Sequence, residues 1–227
     1  MHAVPCLKPL AAAVLACALP WAHAATGASC TSTGVVTVSS TIRVTNTTWD
    51  GGCKTYAATS ALGDGSQDEG QSPIFRVQNG TLRRVILGSN GADGIHTYGN
   101  VTLDNIRWTD VGEDAMTIKE AGTVTVRNIT GFKAADKFFQ VSATSTLNVT
   151  NCKINDALKV FRQFGGTTYK TSVVLNTCDL SNIREAVFRT DSTSSTASWV
   201  GGTASAVRTL CVGYAAGKCT KSNVSGL

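Results

Sequence analysis

Apolar residues recur at every second position in short runs along the chain, and the runs copy one another. Val101-Thr-Leu-Asp-Asn-Ile106 is followed by Val124-Thr-Val-Arg-Asn-Ile129, Leu147-Asn-Val-Thr-Asn-Cys152 and Val173-Val-Leu-Asn-Thr-Cys178. A weaker copy, Thr81-Leu-Arg-Arg-Val85, precedes them. The first and third residues of each clear copy are apolar, which is the two-residue period of a strand. Their starts lie 23, 23 and 26 residues apart, a period that predicts a solenoid. The Leu spacing of a leucine-rich repeat is missing. A second series also recurs once per unit: Asp93-Gly-Ile-His-Thr, Asp114-Ala-Met-Thr-Ile, Asp136-Lys-Phe-Phe-Gln, Leu158-Lys-Val-Phe-Arg and Glu185-Ala-Val-Phe-Arg. Two strand series per coil predict an all-β, right-handed parallel β-helix in a single domain. The less regular flanks, residues 25–72 and roughly 190–227, read as end coils and caps.

Equivalent positions in neighbouring coils sit about 4.8 Å apart. Asn105, Asn128 and Asn151 then stack as an amide ladder in a turn. Cys152 and Cys178 occupy the position of Ile106 and Ile129, close enough for a disulfide across one rung. Spacing also suggests Cys30 with Cys53 and Cys211 with Cys219 as end clips, although spacing alone leaves the pairing open.

Stacking the second series puts Asp93, Asp114 and Asp136 in one column, with Glu113 beside Asp114 and Asp110 one turn earlier. Carboxylates so close repel unless a cation neutralises them, and hard oxygen ligands suit Ca²⁺. The next position carries Lys137 and Lys159 on adjacent coils, with Arg162 three residues on. Two neighbouring ammonium groups repel, which favours one of them giving up its proton and acting as a base. Strict alternation sends Arg162 to the face opposite Lys159, so a bend is required there. His96 falls on the register of Thr117, Phe139 and Phe161 and reads as a stacked structural side chain.

Residues 1–24 combine a lone Lys8, an apolar run from Leu10 to Leu19 and the small-residue site Ala22-His23-Ala24, the pattern of a secretory signal. The run is too short to span a bilayer, and no later one is long enough, so no membrane partner is expected. Beyond the leader stand one His (His96), one Pro (Pro73) and six of the eight cysteines. A lone His excludes an H-E-x-x-H zinc site, and no G-x-S-x-G elbow accompanies it. Chemistry therefore falls to carboxylates, Lys and Arg. Six cysteines without a C-x-x-C spacing point to export and disulfides rather than a metal. The net charge of +5 pulls weakly toward an acidic polymer. Aromatic residues are only 7% and do not interleave with basic ones, so nucleic acid is not an expected partner.

Four stretches carry a resemblance: Gly63-Asp-Gly-Ser-Gln-Asp-Glu-Gly-Gln-Ser-Pro-Ile-Phe75, Gly91-Ala-Asp-Gly-Ile-His96, Asp110-Val-Gly-Glu-Asp-Ala-Met-Thr-Ile-Lys119 and Ala135-Asp-Lys137. Over about residues 30–220 the chain resembles family 3 pectate lyases. The resemblance implies a secreted, extracellular, monomeric β-helix that cleaves polygalacturonate by Ca²⁺-dependent β-elimination. It implies that Asp93, Glu113 and Asp114 bind Ca²⁺ with Asp110 close by, and that Lys137 abstracts the C5 proton. Lys159, Arg162 and Lys119 then hold substrate carboxylates, with Lys159 and Arg162 also assisting the base. Glu69 is the implied proton donor to the leaving O4. The loop at 191–205 matches the family poorly. Two rivals share the architecture. A polygalacturonase-type hydrolase needs two carboxylates in acid and base roles and leaves Lys137 and Lys159 unexplained. A non-catalytic calcium-dependent pectin-binding solenoid keeps the acids and tolerates loss of the lysines.

Overall fold

The structure, a computed structural model, describes residues 24–68 and 70–227, so the expected leader through His23 and also Glu69 lie outside the described residues. The strands are β1 (Val35–Val38), β2 (Ile42–Thr45), β3 (Thr48–Ala58), β4 (Phe75–Gln78), β5 (Thr81–Leu87), β6 (Ile95–Tyr98), β7 (Val101–Trp108) and β8 (Asp114–Ile118). They continue as β9 (Gly122–Val141), β10 (Ser145–Gln163), β11 (Thr171–Arg189), β12 (Thr196–Val207), β13 (Cys211–Val212) and β14 (Cys219–Ser225), with no helix among the described residues. One ladder runs β1-β3-β5-β7-β9-β10-β11-β12-β14, and a second runs β2-β4-β6-β8 and joins it at β9. All of these strand pairings are parallel. The chain thus winds a parallel β-solenoid of about eight turns, right-handed as parallel crossovers are.

The first repeat series stacks as its pattern predicts. Val101 pairs with Val124, Val124 with Leu147 and Leu147 with Val173. A second inward column, Val85, Ile106, Ile129, Cys152 and Cys178, continues through Gly202 to Val224. A Cβ on Gly202 would meet the Cys178 carbonyl oxygen at 2.0 Å, so only glycine fits this rung. The other wall contributes Phe75, Ile95, Met116, Phe139, Phe161 and Phe188, each fully buried. Truncating one of these rings to Ala costs about 3–5 kcal/mol.

Between the two halves of each first-series run the chain turns through one left-handed residue. Asn105, Asn128 and Asn151 hold φ of 58°, 57° and 58°, a region Asn tolerates better than other non-glycine residues. The amide ladder is partial and half-buried. Asn151 donates to Asn128 Oδ1 (2.8 Å), Asn128 donates instead to Asp104 Oδ1 (2.8 Å), and Asn105 donates to Ser29 Oγ (3.0 Å).

The outer side of this ladder is covered by the first described segment. The Ala25 amide donates to Asp179 Oδ2 (3.0 Å), Thr26 and Gly27 amides to Asn151 Oδ1 (2.7 and 3.0 Å), Ala28 to Thr130 Oγ1 (2.9 Å) and Ser29 to Asn105 Oδ1 (2.9 Å). The strap therefore crosses β7, β9, β10 and β11. Its far end is tied by Cys30–Cys53, and Cys152–Cys178 and Cys211–Cys219 are also bridged, with Cα separations of 5.3, 4.5 and 6.3 Å.

Candidate active site

The second repeat series forms one outer strip, and its register differs from the sequence expectation. Asp114 pairs with Lys137, and Lys137 with Lys159. Asp136 therefore leaves the acid column, and Lys137 takes the place next to Asp114. The inward column Met116–Phe139–Phe161 sets this register. Ala134 pairs with Ala157 but Lys137 with Lys159, so β9 carries an extra residue just before the site. His96 shifts likewise: it pairs with Thr117, whose successors on later coils are Gln140 and Arg162, not Phe139 and Phe161.

The bend that Arg162 requires is present. Phe138 and Phe139, Val160 and Phe161, and Val187 and Phe188 are consecutive pairs with both members fully buried. Two inward residues in succession return the next side chain to the surface, so residues three apart share the strip. His96 reaches back to Asp93 (Nε2 to Oδ2, 2.6 Å), and the Thr117 hydroxyl donates to Asp114 Oδ2 (3.4 Å).

Asp93, Glu113 and Asp114 are buried, and each offers a carboxylate oxygen within 4.8 Å of the others. Gly94 permits this approach: with φ of +52°, its missing Cβ would sit 2.3 Å from the Asp114 carbonyl oxygen. Burial pushes the Asp114 carboxyl well above the ordinary range, Lys137 opposes the rise, and the charges of Asp93, Glu113 and Asp136 add to it. Asp93 Oδ1 and Asp114 Oδ1 are buried with no hydrogen-bond donor. Acceptor oxygens left bare in a converging, all-carboxylate pocket fit a hard cation such as Ca²⁺. Asp110 stands outside this group. Its side chain is 40% exposed and faces Lys133 at 3.9 Å.

Next to the acids runs a chain of alternating charges. Lys137 Nζ lies 3.6 Å from Asp114 Oδ1 and 2.9 Å from Asp136 Oδ2. The other oxygen of Asp136 takes Lys159, which also reaches Glu185 Oε2 at 3.3 Å. Glu185 in turn accepts from Arg189. Burial alone would raise the Asp136 carboxyl, but hydrogen bonds from Lys159 and Lys137 hold it below its ordinary value. Arg162 grips Asp191 through both terminal nitrogens, at 3.1 and 2.9 Å. That pair and the Gly166 amide hold the Asp191 carboxyl down at about 2. Lys119 is exposed, just past the end of β8.

The structure thus gathers Asp93, Glu113, Asp114, Lys137, Lys159 and Arg162 on one strip. Three partners escaped the sequence reading. Asp136, expected in one column with Asp93 and Asp114, instead bridges two lysines; Glu185 and Asp191 form the next pairs. The signal for Glu185 was its place in the repeat, where Glu113 and Asp136 stand on earlier coils.

Known proteins share this architecture and sequence. A profile of the pectate lyase family matches residues 26–221. Probable pectate lyase E of Neosartorya fischeri is 31% identical over 188 residues, covering 81% of this chain and 73% of its own. Pectate lyase E of Emericella nidulans is 32% identical over 190 residues, with the same two coverages. The solved structure of pectate lyase PelI from Erwinia chrysanthemi superposes with a TM-score of 0.63 at 19% identity, over 79% of this chain and 70% of that one. The same enzyme in complex with tetragalacturonic acid gives 0.63 at 20% identity, over 88% and 72%. At that identity the solved structures speak for the fold, while the profile and the two fungal relatives speak for descent: the chain belongs to the pectate lyase family.

Proposed function

We propose that the protein is a secreted pectate lyase that cleaves α-1,4-polygalacturonate by calcium-dependent β-elimination. The observation that carries this reading is Lys137 Nζ at 3.6 Å from Asp114 Oδ1, at the rim of the buried three-carboxylate pocket. Asp93, Glu113 and Asp114, with Asp110 nearby, would hold Ca²⁺, which would supply the positive charge that neutralises the uronate carboxylate beside the reacting carbon.

Lys137 in its neutral form takes the C5 proton. The electron pair of that C–H bond becomes the C4–C5 double bond, and the C4–O4 bond breaks. Glu69 is assigned the proton for the leaving O4 on the family resemblance alone. Lys159, Arg162 and Lys119 hold substrate carboxylates; Arg162, whose planar fork matches a carboxylate, exchanges Asp191 for the substrate. Asp136, on Lys137 and Lys159 together, fixes their spacing before substrate arrives. Three disulfides support export to an oxidising space after removal of residues 1–24, and a monomer is the working form.

Polygalacturonate at alkaline pH tests the reading. A Ca²⁺-dependent rise in the ultraviolet absorbance of an unsaturated uronate, abolished by EDTA, is expected. New reducing ends without absorbance would make it a hydrolase, and binding without either would make it a pectin-binding solenoid.

A further inference from the structure

The basic strip does not end at Lys159 and Arg162. Arg162 pairs in register with Arg189 on the next coil toward the C-terminus. Lys137 faces Asp114 and Asp136, Lys159 lies between Asp136 and Glu185, Arg162 holds Asp191, and Arg189 shares Glu185 with Lys159. Arg189 uses one terminal nitrogen on Glu185, but its Nε is buried with no acceptor. The Tyr214 hydroxyl is also buried with no hydrogen-bond partner, and Arg162 is the charge that acts on it. Tyr214 sits in the connection between β13 and β14, which the Cys211–Cys219 bridge closes.

Orphaned buried donors beside two guanidinium groups describe a seat for one more carboxylate. We propose that Arg189, with Arg162 and the Tyr214 hydroxyl, binds a galacturonate carboxylate one coil beyond the residues at Lys159, extending the substrate groove toward the C-terminal cap. This rests on the lyase reading of the same groove. A 1,4-linked uronate chain offers one carboxylate per sugar, and the coils repeat about every 4.8 Å, so a chain laid along the solenoid axis presents successive anions to successive coils. Arg189 is 37% exposed on its side chain and so can swing from Glu185 to an incoming anion.

The test is the chain-length dependence of Arg189→Ala and Arg189→Lys, with Ca²⁺ present. On hexagalacturonate and polygalacturonate, Arg189→Ala is expected to raise KM about 10-fold while kcat holds, the mark of binding shared by ground and transition states. On trigalacturonate, which fills fewer seats from the scissile bond, the KM penalty is expected to be at least about five-fold smaller, and Arg189→Lys recovers part of the loss on long chains. An equal penalty at every length would reduce Arg189 to a brace for Glu185 and overturn the seat, and so would no penalty at all. Wild-type protein that releases no unsaturated product from any of these substrates would overturn the lyase reading itself, and the seat with it.

Discussion

His96 Nε2 lies 2.6 Å from Asp93 Oδ2, while the other oxygen of that carboxylate, Oδ1, faces the acid pocket with no donor on it. The imidazole fixes the carboxylate's orientation and leaves one oxygen for a cation, which is how outer partners tune metal ligands. His96→Ala is expected to weaken Ca²⁺ binding about 10-fold, measured by calorimetric titration, with the fold intact by circular dichroism. Unaltered affinity would return His96 to the purely structural role its repeat position suggests.

Asp114 is the most confined acid of the site, surrounded by like charges and out of contact with water. Asp114→Asn removes a charge that the empty pocket cannot solvate. In EDTA at neutral pH the variant is expected to melt a few degrees above wild type. In excess Ca²⁺ the order reverses, because ligand at about 100-fold over its Kd contributes about 2.7 kcal/mol to wild type alone. Thermal melts in both conditions, for both proteins, check the crossing.

Lys137→Ala is expected to lower polygalacturonate cleavage by at least about 100-fold, the usual contribution of a positioned base. Calcium affinity should stay within a few-fold of wild type, since Lys137 opposes rather than forms the acid pocket. Retained cleavage in this variant would remove Lys137 from the reaction.

The stacking of Val101, Val124, Leu147 and Val173, and the Cys152–Cys178 bridge, were legible because a two-residue period in a parallel stack admits one register. The acid and base columns were less so. Aligning Asp136 with Asp114 by residue type ignores the extra residue of β9, which only the pairing of Ala134 and Lys137 with Ala157 and Lys159 reveals. The consecutive inward pairs such as Val160 and Phe161 also break alternation, and both residues of such a pair look like ordinary core in a sequence. The partners of Asn151 were beyond reach for another reason: Thr26 and Gly27 lie far off in the chain and carry no repeat.

Acid sensitivity has a definite sign at Asp191. Its carboxyl titrates at about 2 in the folded chain, held down by Arg162 and Gly166, against an ordinary 3.8. A depressed carboxyl stabilises the fold above its unfolded value and loses that contribution as pH falls through the folded one. The melting-temperature difference between wild type and Asp191→Asn should therefore be constant above about pH 5 and shrink between about pH 4 and 2. The side chain is 38% exposed, so solvent screening keeps the difference small. A difference that grows on acidification would contradict the pairing.

The strap formed by Ala25 to Ser29 changes how such a stack comes apart. A solenoid whose coils touch only their neighbours can fray from either end, one coil at a time. Here a single short segment is fastened to Asn105, Thr130, Asn151 and Asp179, on four successive coils. Loosening any one of these coils strains its hold on the other three, so the central turns melt together. One sharp transition, seen alike by backbone and aromatic signals, is expected in an architecture otherwise suited to gradual unravelling.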